Sequence, residues 1–292
     1  MMYFGKMNVV IFALSLAIVG TTNAQFAIEN LTTTDGAEAT PRINASGQAI
    51  WSLDGEIFFY NGTAITQITH TTFGNDTPDI DNNGNVAWRG TLTPGGDSEG
   101  STQEIFFWDG SSITKLTNNS FIDHQPRISN GKVVWTAMGF GGTDSDIFLF
   151  DGSSVTQITN NSFSDSDPRI SGNGDVFWVG EAAGPNAAGN EIFRFDGNSI
   201  TRLTDNAYED SDLKVNNVGQ AVWTGNDEIF FFDGASVRQL TNPTISSENS
   251  QPDINDVRKL KSGLTIRVLS FGKPSREGWR RFFTLMGRLS RT

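Results

Sequence analysis

Short runs of alternating apolar and polar residues, separated by Gly, Asn and Asp, fill most of the chain. In the segment 126–159 this alternation predicts four strands, which are Pro126–Ser129, Lys132–Ala137, Asp146–Phe150 and Ser154–Thr159. The third and fourth strands are joined by Asp151-Gly152. Asp-Gly and Asn-Gly supply the positive φ angles of a tight hairpin turn. The segment therefore predicts a four-stranded antiparallel meander.

The same phrase recurs five times, each time with a tryptophan late in its second strand. The spacings are 37, 47, 43 and 45 residues between Trp51, Trp88, Trp135, Trp178 and Trp223. A period of about 40 to 45 residues is typical of units that bury their apolar faces against one another. Strands two and three carry apolar residues on both faces, so both faces must be covered. The pattern predicts an all-β fold, a β-propeller of four-stranded antiparallel blades.

The two ends of the repeat array indicate an incomplete sixth blade. Residues 26–32 read as a fourth strand without the three that should precede it, and Pro252 to Asn255 begin a further first strand. We expect five complete repeats plus an incomplete sixth that the N-terminal strand closes. The repeat region is 25–256.

Residues 1–24 have the pattern of a secretory signal peptide. Lys6 precedes an apolar stretch from Val9 to Val19, and small residues lead to Ala24. We expect cleavage after Ala24 and a secreted or periplasmic protein; the alternative is an uncleaved N-terminal anchor. The apolar stretch is too short for a permanent membrane span, and no later segment is long enough.

Charge divides the chain into an acidic body and a basic tail. Residues 1–256 hold 11 Lys/Arg and 32 Asp/Glu, whereas residues 257–292 hold 10 Lys/Arg and one Glu, which gives the net charge of −12. An acidic body disfavours nucleic acid and anionic lipid as partners. The tail breaks the repeat abruptly, which favours a frameshift, a misassigned gene end or recombination; the alternative is a genuine basic appendage.

The repeat resembles the WD40-like repeat of TolB-type six-bladed propellers. The resemblance rests on the order Ile158-Thr159-Asn160-Asn161, then Asp165 to Pro168, Ser171-Gly172-Asn173-Gly174, Phe177-Trp178 and Glu191 to Gly197. It covers about residues 26–256. The Ser-Pro-Asp-Gly turn of the family appears in this sequence as Ser-Gly-Asn-Gly, Asn-Asn-Gly or Ser-Asn-Gly, and no segment of the sequence resembles the separate N-terminal domain of TolB. The resemblance implies an exported propeller from a family of recognition platforms that sometimes accompany catalytic domains.

Two sets of connections are expected on one face of the propeller. The connections between second and third strands vary in length. Variable loops on a fixed scaffold often bind ligands. Neutral drift of exposed loops is the alternative explanation. The connections between one unit and the next are acidic, with Asp76, Asp123, Asp165, Asp167, Asp210 and Asp212. These acids could bind calcium, but no calcium-loop spacing is present, and use as turn and strand caps is the simpler expectation. No metal site and no other cofactor is predicted.

A charged position recurs in the first strand of each unit, just before an apolar residue. It is occupied by Arg42, Asp79, Arg127, Arg169, Lys214 and Asp253. In a propeller these side chains converge near the central channel. Arg42, Arg127, Arg169 and Lys214 are therefore candidate anion-binding residues; the alternative is ion pairing between neighbouring blades.

Catalytic residues are not identifiable in this sequence. Only two histidines occur, His70 and His124, at non-equivalent positions, and cysteine is absent. Our hypothesis is an exported, non-enzymatic propeller that binds a protein or polysaccharide through its variable loop face. The alternatives are a carbohydrate-active propeller enzyme that uses Asp/Glu pairs, and a degenerate remnant without activity.

Overall fold

The chain forms sheets of short antiparallel strands in a computed structural model. The structure describes residues 10–12, 28–32, 38–71, 74–91, 103–139, 142, 144–181, 189–241 and 252–254, and within these ranges it contains strands and no helix. Five four-stranded sheets follow one another, each with its strands in chain order. The predicted meanders are confirmed.

The first three sheets occupy residues 38–157. Sheet 1 consists of β3 to β6, sheet 2 of β7 to β10 and sheet 3 of β11 to β14. Their bounds are Glu38–Ile43, Ala49–Leu53, Glu56–Tyr60 and Ile65–Gln67; Asn75–Ile80, Val86–Thr91, Gln103–Trp108 and Ile113–Lys115; Phe121–Ser129, Lys132–Gly139, Ser145–Phe150 and Val155–Gln157.

The remaining two sheets occupy residues 165–239. Sheet 4 consists of β15 to β18 and sheet 5 of β19 to β22. Their bounds are Asp165–Ile170, Val176–Gly180, Glu191–Phe195 and Ile200–Arg202; Asp210–Val215, Ala221–Gly225, Glu228–Phe232 and Val237–Gln239. The chain divides into two compact units, Met1–Ile170 and Ser171–Thr292.

A β-bulge interrupts the first strand of the sheets at one repeated point. The strand registers shift between Ala39 and Arg42, and at the matching places in β7, β11 and β19. Inside each bulge one residue has a positive φ of 47° to 55°, and the same holds in β15; these residues are Thr40, Thr77, Gln125, Asp167 and Asp212. A bulge takes up one extra residue and re-aims the side chains that follow it.

The bulge corrects two sequence-based predictions. In sheet 3 the first strand begins at Phe121 instead of Pro126, because pairing with β12 continues on both sides of the bulge. For the same reason the acids expected in connecting loops lie inside first strands. They are Asp76, Asp123, Asp165, Asp167, Asp210 and Asp212.

Within each unit, consecutive sheets pack face to face through apolar side chains. In the first unit, Ile50 and Ile57 of sheet 1 join one core cluster with Val86 and Trp88 of sheet 2. In the second unit, Ile192 of sheet 4 lies in one cluster with residues of sheet 5 that include Leu213, Ala221 and Trp223. The five repeated tryptophans are at most 1% exposed, and each stacks on a phenylalanine of the third strand.

The first strands of consecutive sheets are neighbours in the first unit. Strand β3 contacts β7, β7 contacts β11, and β11 contacts β15. Side chains that follow the bulges of these strands are therefore brought close to one another.

The ends of the array are described only in part. Strand β1, Val10–Phe12, pairs antiparallel with β2, Ile28–Asn30, which lies inside the predicted N-terminal strand. Pro252 to Ile254 carry no strand assignment. The expected cleavage site after Ala24 and residues 257–292 lie outside the described residues. Among the residues that are described, no helix is long and apolar enough to cross a membrane.

Candidate binding site at the loop edge of sheets 2 and 3

One polar cluster departs from the repeat. We define the loop edge as the end of a sheet at which its first strand begins and its second strand ends. Near this edge a residue of the first strand faces one of the second. The pairs are Ala39 with Ser52, His124 with Thr136, and Ser211 with Thr224, but Asp76 with Arg89 in sheet 2. Sheet 2 therefore places an ion pair where three other sheets place a small hydroxyl residue on the second strand.

The guanidinium of Arg89 joins three polar side chains. Its Nε donates to Asp76 Oδ1 over 2.7 Å, and its Nη2 donates to Asp76 Oδ2, so this carboxylate is held bidentately. Its Nη1 donates to Gln103 Oε1 over 2.8 Å and lies 3.1 Å from His124 Nδ1. A planar donor with several fixed N–H groups imposes one geometry on all its acceptors. We call Asp76, Arg89, Gln103 and His124 the loop-edge cluster.

His124 has a defined protonation state in this cluster. Because the guanidinium is always a donor, His124 Nδ1 must accept, and the neutral ring then carries its proton on Nε2. Burial lowers the pKa of His124, and the positive charge of Arg89 lowers it further. The neutral form of the imidazole is therefore favoured, and it offers one N–H donor. Asp76, with 44% of its side chain exposed, adds a carboxylate acceptor.

A pair of buried carboxyl groups comes directly beside the cluster in the sequence. Glu104 follows Gln103 and Asp123 precedes His124, and both acids are at most 1% exposed. Glu104 accepts from Thr117 Oγ1 over 2.6 Å and lies 3.5 Å from Lys115 Nζ. Asp123 Oδ1 accepts from the indole of Trp135 over 3.0 Å. Burial raises the pKa of Asp123 to about 6, and the negative charge of Glu104 contributes to the rise.

The second unit repeats this carboxyl pair without the loop-edge cluster. Glu191 and Asp210 are at most 1% exposed, and Arg202 Nη2 lies 3.0 Å from Glu191 Oε1. Burial raises the pKa of Asp210 to about 6, and the charge of Glu191 contributes. The residues equivalent to Arg89 and His124 are Val179 and Ser211. The buried carboxyl pair therefore occurs at two junctions, whereas the cluster belongs to sheets 2 and 3 alone among the described junctions.

The predicted anion-binding residues are brought together in part. Arg42 Nε lies 3.8 Å from Asp79 Oδ1, and Asp79 Oδ2 accepts from the backbone N–H of Ile128 over 3.1 Å. Arg127 and Arg169 lie within electrostatic range of each other and of Asp79. Lys214 lies in the second unit. Arg42, Asp79, Arg127 and Arg169 thus form one row in the first unit, with contacts between neighbouring sheets.

Several of the acids that were considered as calcium ligands contact other side chains in the structure. Asp123 binds Trp135 and Asp76 binds Arg89, while Asp167 pairs with Arg169 at 2.7 Å. Across the described ranges no group of three or more His, Cys, Asp or Glu side chains has an arrangement that could hold a metal ion. The variable connections 92–102 and 182–188 lie outside those ranges.

The sequence patterns did not predict a site role for Arg89 or Gln103, and they gave no role to His124. The signal was present in the residue after each repeated tryptophan. These residues are Ser52, Arg89, Thr136, Val179 and Thr224. Arg89 is the one charged residue of the set, and a departure from an internal repeat is visible without any structure.

Comparison with known proteins places the chain by fold. No protein-family model matches it, and no curated protein sequence matches it significantly. Among solved structures, a Porphyromonas gingivalis dipeptidyl peptidase 4 is 10% identical with a TM-score of 0.56, over 73% of this chain and 40% of that one. The β-propeller domain of the Pyrococcus furiosus Trilobed protease is 11% identical with a TM-score of 0.52, over 74% and 71%.

A putative TolB from Agrobacterium tumefaciens is also similar, at 16% identity and a TM-score of 0.49, over 73% of this chain and 83% of that one. This chain spans less than half the length of the dipeptidyl peptidase. At these identities the likeness concerns the fold. Together with the five four-stranded sheets, the match to a propeller domain confirms the predicted all-β propeller fold.

Proposed function

We propose that this protein is an exported, non-enzymatic binding module that recognises a protein or polysaccharide through the loop edge of sheets 2 and 3. The observation that carries the proposal is the loop-edge cluster. Three sheets place Ser or Thr at the position of Arg89, so the repeat fold itself does not require the charge there. A departure from an internal repeat that creates an organised set of polar groups is best explained by recognition.

The cluster is suited to polar ligands. Arg89 uses its N–H groups to fix Asp76, Gln103 and His124, so little side-chain entropy is lost when a ligand arrives. The neutral ring of His124 offers a donor on Nε2, and Asp76 offers an acceptor beside it. Hydroxyl, amide and ammonium groups of a ligand can use this pair.

A carbohydrate-active enzyme receives less support from the geometry. Glycoside hydrolysis needs two carboxyl groups on either side of the bond that is cleaved. The buried carboxyl pairs, Glu104 with Asp123 and Glu191 with Asp210, are at most 1% exposed. Asp76 is bound bidentately by Arg89. In the proposed function, the four buried acids are part of the folded interior and Asp76 positions the guanidinium of Arg89.

Paired binding measurements test the proposal. Wild-type protein and the variant His124→Ala are applied to a glycan array, and both are used for cross-linking capture from the exported fraction of the native host. We expect one ligand class whose binding falls at least about tenfold in the variant. Ser211→Ala is the matched control, because Ser211 holds the equivalent place in sheet 5. Equal binding by wild type and His124→Ala, or release of new reducing ends from a bound glycan, contradicts the proposal.

Export has a separate test. The proposed signal peptide predicts that the mature protein from the exported fraction begins at Gln25. N-terminal sequencing or intact mass measurement reads this directly. A mature chain that retains residues 1–24 in a membrane fraction supports the anchor instead.

A further inference from the structure

We infer that the inner row of the first unit binds an oxyanion, a carboxylate or a sulfate group, between its arginine side chains. The inner row consists of Arg42, Asp79, Arg127 and Arg169. It lies beyond the bulges of the first strands, away from the loop-edge cluster. The inference does not depend on the proposed function.

The three arginines are held in one repeated pose. Each follows a proline, and each donates from Nη1 to the carbonyl oxygen of that proline, over 3.2, 3.0 and 3.1 Å for Arg42, Arg127 and Arg169. The residue before each proline has a positive φ near 50°. Non-glycine residues seldom adopt this conformation, and where they do the surrounding structure enforces it. The fold thus sets three guanidinium groups at matching places on neighbouring strands.

Like charges are gathered in the row. Arg42 lies beside Asp79, Arg169 pairs with Asp167, and Arg127 lies within electrostatic range of both Asp79 and Arg169. The side chains of Asp79 and Arg169 are 16% and 17% exposed. Partly buried like charges cost free energy unless a counter-charge is near. An anion supplies that counter-charge.

Protonation supports the same conclusion. Burial raises the pKa of Asp79 even though Arg127 and Arg42 lower it. Burial lowers the pKa of Arg169, and the charge of Arg127 lowers it further. Asp79 is thus desolvated beside two guanidinium groups, and Arg169 lies close enough to Arg127 to be repelled by it. Guanidinium groups bind carboxylate and sulfate oxygens through two parallel N–H bonds, which selects oxyanions over chloride.

Salt titrations of the full chain test the site. Sodium sulfate and sodium acetate are titrated at constant ionic strength against sodium chloride, with backbone amide chemical shifts and calorimetry as readouts. We expect saturable binding of at least one oxyanion, shifts centred on residues 127 and 169, and none with chloride. Comparison of the sulfate and acetate titrations shows which oxyanion is preferred. Absence of saturable binding by both anions overturns the inference.

Two variants with opposite expected effects separate an anion site from simple ion pairing. Arg127→Gln removes a donor and should weaken binding at least about fivefold. Asp79→Asn keeps an acceptor for the N–H of Ile128 but removes the competing charge, so it should tighten binding by a similar factor. Arg238→Gln, far along the chain on β22, is the matched control for net charge and should leave binding unchanged. Weaker binding in Asp79→Asn overturns the inference, and so do equal losses of binding in Arg127→Gln and Arg238→Gln. Thermal unfolding checks that each variant is folded. If Arg127→Gln does not fold, Arg42→Gln takes its place.

Discussion

Two junctions between sheets show what the repeat fixes and what it leaves open. Between sheets 2 and 3, Glu104 and Asp123 are buried beneath the cluster of Asp76, Arg89, Gln103 and His124. In the second unit, Glu191 and Asp210 repeat the buried pair, but Val179 and Ser211 replace the arginine and the histidine. The buried chemistry is common to both junctions, whereas the polar chemistry at the edge is confined to one. Function is therefore expected where the copies diverge.

The common framework explains why the divergence is tolerated. Each tryptophan stacks on the phenylalanine of the next strand, with ring centroids 5.9 Å apart for Trp135 and Phe148 and 6.0 Å apart for Trp223 and Phe230. At the end of each fourth strand a threonine Oγ1 accepts the N–H of the third-strand isoleucine over 2.8 to 2.9 Å. The tryptophans of these contacts are at most 1% exposed. Substitution of a residue at the loop edge leaves them intact.

The largest expected effect is on stability, equally at both junctions. Trp135→Ala and Trp223→Ala each remove a fully buried indole and its stacking partner, and each should lower the free energy of unfolding by about 3–5 kcal/mol. Urea unfolding followed by circular dichroism measures the loss. Ile113→Ala, at a position 47% exposed, is the control and should lower it by less than about 1 kcal/mol. If either substitution leaves the free energy of unfolding unchanged, the two junctions do not share the same framework.

The next effect concerns pH. The folded-state pKa of Asp123 and Asp210, about 6, lies above the value of about 3.9 in the unfolded chain. The stabilisation from each group is complete below pH 4 and is lost as the pH rises to 6, by a magnitude on the order of 1–3 kcal/mol. Asp123→Asn and Asp210→Asn should each remove part of this decline.

Thermal unfolding at pH 4, 5, 6 and 7 measures the decline. The control is Asp151→Asn, because hydrogen bonds from Ser154 and Ser153 lower the pKa of Asp151 to about 2. Asp151 stabilises the folded protein above pH 4, and this stabilisation is lost as the pH falls towards 2. Its contribution to stability therefore changes with pH in the opposite direction to that of Asp123 and Asp210. A slope between pH 4 and 6 that persists unchanged in both Asn variants excludes these carboxyl groups as its source.

A third effect should distinguish the junctions. Arg89→Thr and His124→Ser convert sheets 2 and 3 to the residues found at the equivalent places of sheet 5, Thr224 and Ser211. We expect at least about tenfold weaker ligand binding, which corresponds to 1.4 kcal/mol, with little change in thermal stability. Calorimetry with the ligand class identified on the array or by capture measures the affinity. Unchanged affinity in both variants moves the binding site away from this edge.

The smallest expected effect lies in the outer hairpins. Gly152 and Gly197 have φ values of 104° and 97°, in a region that L-residues seldom adopt, although no atom would obstruct an added Cβ. Gly152→Ala and Gly197→Ala should each lower the free energy of unfolding by about 1 kcal/mol through backbone strain alone. Urea unfolding compares them with Ser153→Ala, whose turn keeps its glycine. A cost confined to one hairpin shows that the repeats differ in rigidity as well as in chemistry.

Local patterns predicted the repeated architecture well. Asp-Gly turns, alternating strands and the regular tryptophans of the sequence correspond to the observed meanders, since each of these signals acts within a few residues. The strand starts were predicted less well. The stretch Phe121 to Gln125 reads as a polar loop, yet it pairs with β12 because the bulge at Gln125 keeps the two strands in register.

The loop-edge cluster shows where sequence reasoning stops. Arg89 is separated from His124 by 35 residues and from Asp76 by 13, and no spacing rule joins them. The proton position of His124 depends on Arg89, which lies in a neighbouring sheet. The inner row was predicted as a set of equivalent positions, while its pairing of Arg42 with Asp79 was visible only in the structure.

The sequence by itself determined the strands, the turns, the fivefold repeat and the apolar residues that stack between sheets. These features depend on backbone preferences and on the burial of apolar area, both of which are written into neighbouring residues. Only the tertiary structure decided which charges meet, which carboxyl groups lose their contact with water, and which nitrogen of His124 carries the proton. Those outcomes depend on distance and local dielectric between residues far apart in the chain, and a linear sequence specifies neither.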